Sequence, residues 1–138
     1  MDILTRPPGP TLHEFAITAQ ADDIDFMGHV NNARYLNWLQ AAVLDHWHKI
    51  APAAEHTATL WIALRHDIRY LKPSYVGQRM TIAVQLLELK GARATYRSTV
   101  KRGAELISTI DSMWCSLNAS NLNPRRISKA LVKQLLSL

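Results

Sequence analysis

Residues 31–49, NNARYLNWLQAAVLDHWHK, contain neither glycine nor proline. Tyr35, Leu36, Leu39, Val43 and Trp47 recur at helical spacing, while Trp38, Ala41, Ala42 and Leu44 widen the apolar surface beyond one stripe. A helix that is apolar nearly all round is one that its own protein encloses. Whatever surrounds this helix must come from the rest of the chain.

What surrounds it reads as sheet. Ahead of the helix, Phe15, Ile17 and Ala19 alternate with polar or small residues over 11–19, the pattern of a first strand. Behind it, APAAEHTA (51–58) reads as a loop. Leu60, Ile62, Leu64, Ile68 and Tyr70 then fall on one face, with Arg65, Asp67 and Arg69 on the other, and KPSYVGQ (72–78) ends the strand. Met80, Ile82, Val84 and Leu86 form the next inward row, opposed by Thr81 and Gln85. KGA (90–92) reads as a hairpin turn, after which Tyr96 and Val100 alternate with Arg93, Thr95, Arg97 and Lys101. A turn near Gly103 leads to a last strand over about 106–117. Pro124 closes the sheet region, and RRISKALVKQLLSL reads as a short C-terminal helix with Ile127, Leu131, Leu135 and Leu138 on one side. The Pro-rich RPPGP makes residues 1–10 a flexible lead. The expectation is one α+β domain over 1–138, a five-stranded antiparallel sheet wrapped around a long central helix.

Sixteen Lys plus Arg against eleven Asp plus Glu give a net charge of +5, which asks for an anionic partner. The bases are scattered rather than interleaved with aromatics in a stripe, which argues against nucleic acid and leaves a phosphate-bearing small molecule. Cys115 is the single cysteine, so no internal disulfide forms, in keeping with a reducing compartment. The sequence has no run long enough to span a bilayer and no signal-peptide pattern at its start, so the expected location is cytoplasmic, with no membrane partner.

The chemistry-bearing residues crowd just ahead of the helix, in DIDFMGHVNN (23–32). As a calcium loop the spacing of Asp23, Asp25 and Gly28 is right, but Arg34 would occupy the place of the bidentate glutamate. As a transition-metal site it fails too: His46 and His48 diverge on a helix and no zinc-type spacing is present, so no metal is expected. Asn31 or Asn32 suits a helix cap, with Gly28 at a special backbone angle. Capping does not explain Asp25, six residues before Asn31. A helix start presents unpaired N–H groups that polarise a carbonyl, and a nearby carboxylate activates water or attacks directly, a combination suited to hydrolysis of an activated ester. Asp23 reads as a turn or cap residue, and His46, His48 and His56 as surface residues; His66, on an inward row, reads as a hydrogen-bonded core histidine.

Asp23, Asp25, Gly28, His29, Val30, Asn31, Asn32, Ala33 and Tyr35, with RYLKP (69–73), resemble the signature of hotdog-fold acyl-CoA thioesterases of the 4-hydroxybenzoyl-CoA thioesterase-like group. The resemblance implies a thioester hydrolase releasing a free acid and CoA, with no cofactor beyond the CoA of its substrate. It implies that Asp25 is the catalytic carboxylate, as general base or as nucleophile, and that the Asn32 N–H polarises the thioester carbonyl. Gly28, His29 and Asn31 would line the substrate pocket. It also implies a homodimer or homotetramer with sites at the subunit interface. Lys90 and Arg93, and Arg125 and Arg126 beyond them, are candidates for meeting the CoA phosphates. Many members of the group carry a helix glutamate where this chain has Gln40, and Asp45 lies further along. Two alternatives stand beside hydrolysis of acyl-CoA: a carrier-protein thioesterase or thioester dehydratase of the same fold, and a noncatalytic acyl-CoA-binding module.

Overall fold

The computed structural model describes residues 13–136. The Pro-rich lead and the side chains of Leu135 and Leu138 lie outside what is described. Strand β1 (His13–Thr18) is followed by a single 3-10 turn (Ala21–Asp23), the long helix α1 (Asn32–Ile50) and a short helix α2 (Ala53–Ala58). Strands β2 (Thr59–Tyr70), β3 (Arg79–Lys90), β4 (Arg93–Arg102) and β5 (Glu105–Asn118) follow, and α3 (Lys129–Leu136) ends the described chain. The five strands form one antiparallel sheet in the order β1-β3-β4-β5-β2, so β1 and β2 are its edges. This is the hotdog arrangement, a sheet wrapped on a central helix.

The inward rows of the middle strands are as the alternation predicts. Met80, Ile82 and Val84 on β3 and Val100 on β4 are fully buried, joined by Ile107, Ile110 and Trp114 of β5. They meet Tyr35, Trp38, Leu39, Ala42, Val43 and Trp47 of α1 in one continuous core, each fully buried aliphatic side chain contributing about 1.5–3 kcal/mol. Ile127 and Leu131, at α3, close one side of that core.

Four details depart from the sequence reading. The stretch 51–58 is not a loop: Pro52 caps the alanine-rich turn that forms α2. Ala41 and Leu44 face outward, so α1 buries one broad face rather than its whole circumference. On β2 the pairing shifts between Ala63, opposite Trp114, and Arg65, opposite Met113, leaving Leu64 as the extra residue of a bulge. A one-residue slip exchanges the two faces of a strand. Leu60, Ile62 and Leu64 therefore point outward, 43%, 42% and 46% exposed, while Trp61 and Ala63 turn to the core. Beyond the bulge the original phase holds, with His66 and Ile68 turned inward.

The fourth concerns His46, which is not a surface residue. It continues the buried face set by Leu39, Ala42 and Val43 and is only 2% exposed. Its ring stacks on His13, 5.3 Å away, and neither ring nitrogen has a hydrogen-bond partner among the described residues. Burial, with the neighbouring His13 as a lesser cause, lowers its pKa from 6.5 to about 4. Between those values the unfolded chain binds a proton that the folded chain refuses, so stability present above pH 6.5 is lost as the pH falls toward 4. We expect a loss of about 3 kcal/mol over that window, visible as a falling Tm. His46→Phe should flatten the profile between pH 6 and pH 4.5; parallel profiles for the two proteins would assign the loss elsewhere.

Candidate active site

The loop between β1 and α1 is held at several points. Ala19 exchanges backbone hydrogen bonds with Gly77 and Gln78, both at 2.9 Å, as the chain leaves β1. Asp23 is buried and structural: its Oδ2 accepts the Gln20 N–H at 2.8 Å, its carbonyl accepts the Asn31 N–H at 2.9 Å, and Arg34 Nε lies 3.6 Å from Oδ1. It ties the 3-10 turn to the helix start. The segment 24–30 then folds into a tight hairpin, with Ile24 bridged to Val30. The Asp25 N–H donates to the His29 carbonyl, and the Gly28 N–H to the Asp25 carbonyl, each at 3.0 Å. Gly28 sits at φ +85°, a left-handed backbone that side-chain-bearing residues rarely adopt.

This hairpin fixes the Asp25 carboxylate. Oδ1 accepts the Met27 N–H at 2.8 Å and lies 4.0 Å from His29 Nδ1. Oδ2 has no partner among the described residues. Phe26 and Met27, at the hairpin tip, are 98% and 62% exposed.

The helix start is equally determined. Asn31 is the N-cap: its Oδ1 accepts the Ala33 N–H and its carbonyl accepts the Arg34 N–H, both at 2.9 Å. The Asn32 N–H ahead of them has no acceptor among the described residues. From below, the fully buried Ser74 receives the Val30 N–H on its carbonyl at 2.8 Å, and its hydroxyl bonds Tyr35 OH at 2.5 Å. Burial raises the Tyr35 phenol pKa, partly offset by that bond. Tyr70, at the end of β2, donates its hydroxyl to the Asn32 carbonyl at 2.9 Å and sets its ring edge-on to Tyr35. A recess of about 170 Å³ opens here, with His29, Asn32, Tyr35, Tyr70 and Lys72 among its lining. Lys72 Nζ bonds Glu105 Oε2 at 2.7 Å, and Glu105 also pairs with Arg102.

Asp25, Gly28, His29, Asn31 and Asn32 are thus brought together on one pinned loop. Lys90 and Arg93 are not with them. They face each other across the β3–β4 hairpin beside a shallow recess of about 230 Å³. The helix-start loop lies against the opposite end of β3, through the contacts of Ala19 and Val30 with residues 74–78. Twelve strand residues separate the two ends, about 36 Å. Arg125 is engaged with Glu55 and Asn118, a structural role. Asp45 lies thirteen residues down α1 from Asn32, about 20 Å, and is bonded to His13 and Lys49, so it does not stand in for a carboxylate at Gln40. The sequence reading missed Tyr70 and Lys72 as members of the recess; both lie in RYLKP, the signal that pointed there. Among the described residues, no group of three or more His, Cys, Asp or Glu could hold a metal, and no helix is long and apolar enough to cross a membrane.

Comparison with known proteins follows the same line. No curated protein matches the chain. Among solved structures, a probable thioesterase from Bartonella henselae superposes with a TM-score of 0.74 at 22% identity, over 84% of this chain and 97% of its own. A Thermus thermophilus thioesterase, complexed with coenzyme A and zinc, gives 0.80 at 20% identity over 93% and 96%. A Staphylococcus aureus hypothetical protein in complex with CoA gives 0.81 at 16% identity over 91% and 82%. At these identities the likeness is one of fold. The model of the thioesterase-like superfamily matches residues 19–135, from the end of β1 through all the remaining strands and into α3, and the chain belongs to that superfamily.

Proposed function

We propose that the protein hydrolyses acyl-CoA thioesters at the α1 start. The observation that carries this reading is that Asp25 Oδ2 and the Asn32 N–H, on one hydrogen-bonded loop, both lack a partner among the described residues. The thioester carbonyl oxygen accepts the Asn32 N–H at the positive end of the helix dipole, which stabilises the charge that develops there. Asp25 either takes a proton from the attacking water or attacks the carbonyl carbon itself, giving a mixed anhydride that water then cleaves. In both routes the carbon–sulfur bond breaks, CoA leaves as thiol, and the acyl group leaves as free acid. His29, beside Asp25, orients the carboxylate, and Lys72, its ammonium held by Glu105, lines the recess. The CoA named with two of the structural neighbours fits this substrate class.

The same reading calls for a second copy of the chain. Strand β2 is a twelve-residue edge, with apolar Leu60, Ile62 and Leu64 exposed along it, the kind of edge that proteins cover. Two such edges paired antiparallel about a twofold axis reverse one sheet relative to the other. That reversal carries the partner's Lys90 and Arg93 toward the end where this chain's Asp25 sits, which resolves their separation within one subunit. The exposed Phe26 and Met27 are further surface for a partner to cover.

Two experiments test the proposal. Asp25→Asn should lower thiol release from acyl-CoA by at least about 100-fold without changing the circular dichroism spectrum, the contribution of one positioned base. A folded, fully active Asp25→Asn protein would remove Asp25 from the reaction; a folded wild type that binds acyl-CoA without releasing thiol would make the protein a binding module. For the shared site, Asp25→Asn is unfolded and refolded with a chain carrying both Lys90→Glu and Arg93→Glu. Each mixed dimer then holds one intact site, and activity should return to about a quarter of wild type. No recovery above the two parents would place all of these residues in same-chain sites.

A further inference from the structure

The inward face of β2 is covered less completely than that of the other strands, and one histidine stands in the gap. Helix α1 approaches β1 and β3 most closely. Met80, Ile82 and Val84 beneath it are fully buried, whereas Trp61, Ala63, His66 and Ile68 on the inward side of β2 remain partly exposed. The helix touches β2 at two aromatic contacts. Tyr35 meets Tyr70 at 5.5 Å beside the helix start, and Trp47 meets Trp61 at 5.4 Å toward the other end. Between the recess at Asn32 and the Trp47–Trp61 pair, the inward face of β2 is therefore partly exposed and mainly apolar, with Trp61, Ala63 and Ile68 along it.

His66 lies midway along it, four residues from Tyr70, about 13 Å. Its ring rests edge-on against Trp114, 5.7 Å away, which fixes its orientation. Its Nδ1 is sealed from solvent without a hydrogen-bond partner. Its Nε2 also lacks a partner among the described residues but is not sealed. Orphaned buried N–H groups are rarer in proteins than orphaned acceptors, so the neutral tautomer keeps its proton on Nε2. Burial lowers the imidazole pKa, which keeps the ring neutral near pH 7. The result is one N–H donor, without an acceptor among the described residues, on a partly exposed apolar face whose Tyr70 end meets the proposed reaction centre.

We propose that His66 determines acyl specificity: its Nε2–H donates to an oxygen carried on the distal part of the acyl group, so the site prefers acyl chains bearing a hydroxyl, carbonyl or carboxylate there. The inference rests on the acyl-CoA reading for the location of the ligand's thioester end, and it deepens that reading by naming the class of acyl group. An otherwise apolar face distinguishes chains poorly by length, whereas a donor set within it favours chains that carry an acceptor.

The test separates binding from turnover by using thioether analogues of CoA, which cannot be hydrolysed. Octyl- and decyl-CoA thioethers are compared with their ω-hydroxyl counterparts by calorimetry on the full chain. The wild type should bind the better-fitting hydroxylated analogue about tenfold more tightly than its plain partner, the contribution of one net hydrogen bond. His66→Phe, which keeps a ring against Trp114, should bring that ratio close to one, and His66→Gln, which restores an N–H donor, should recover part of it. Equal affinities in the wild type, a ratio unchanged by His66→Phe, or binding of neither pair would each overturn the proposal. Thiol release from the matching acyl-CoAs is read separately: its absence with the binding preference intact would count against hydrolysis, not against His66.

Discussion

The position of α1 over the sheet governs the rest of the structure. Helix α1 lies closer to β1 and β3 than to β2, which it meets through Tyr35 and Trp47, so the helix axis is displaced from the β2 edge. That displacement completes the core under the central strands and leaves the inward face of β2 half covered. It also brings the helix start to the end of the sheet where residues 74–78 and Tyr70 converge. There Ser74 and Tyr70 hold the first turn from beneath while Asp23 holds it from the preceding loop. The Asn32 N–H and Asp25 Oδ2 lack partners among the described residues, while the neighbouring Val30, Asn31, Ala33 and Arg34 amides each have an acceptor.

The sequence was informative wherever one period dominated. The gap-free run over 31–49 specified α1, and the alternation of Met80, Ile82, Val84 and Leu86 specified the inward face of β3. Residue type narrowed the cap to Asn31 or Asn32, of which the structure selects Asn31, and marked the turn at Gly28. On β2 the pattern misled, because Leu60, Ile62 and Leu64 alternate as an inward row does and nothing in their identity announces the bulge at Leu64. The structure shows that these leucines and isoleucine belong to an outer face left exposed among the described residues. His46 was misjudged for the opposite reason: its polar character outweighed a spacing that placed it on the buried face. Of the site, Asp25, His29 and Asn32 were visible through the motif that carries them. Tyr70 and Lys72 were not, because they arrive from a strand end some forty residues away.

The two kinds of unsatisfied surface in the chain point in one direction. An edge strand with exposed aliphatic residues, and a hairpin tip displaying Phe26 beside the carboxylate, are expensive features for an isolated chain in water. Both are economical if a second copy covers them. The separation of Lys90 and Arg93 from the Asp25 of their own chain then ceases to be an anomaly, because an antiparallel dimer places opposite sheet ends side by side. On this account the basic charge of the chain is distributed for a site assembled from two subunits.

The most direct test of the central claim is to follow the Asn32 amide by 15N–1H NMR while adding a ketone analogue of acyl-CoA, in which a methylene replaces the thioester sulfur. The account predicts a saturable downfield shift of the Asn32 N–H as it takes up the carbonyl oxygen, larger than that of the already bonded Ala33 and Arg34 amides. An Asn32 amide that stays in place while other residues report binding would contradict it, and would put the carbonyl somewhere other than the start of α1.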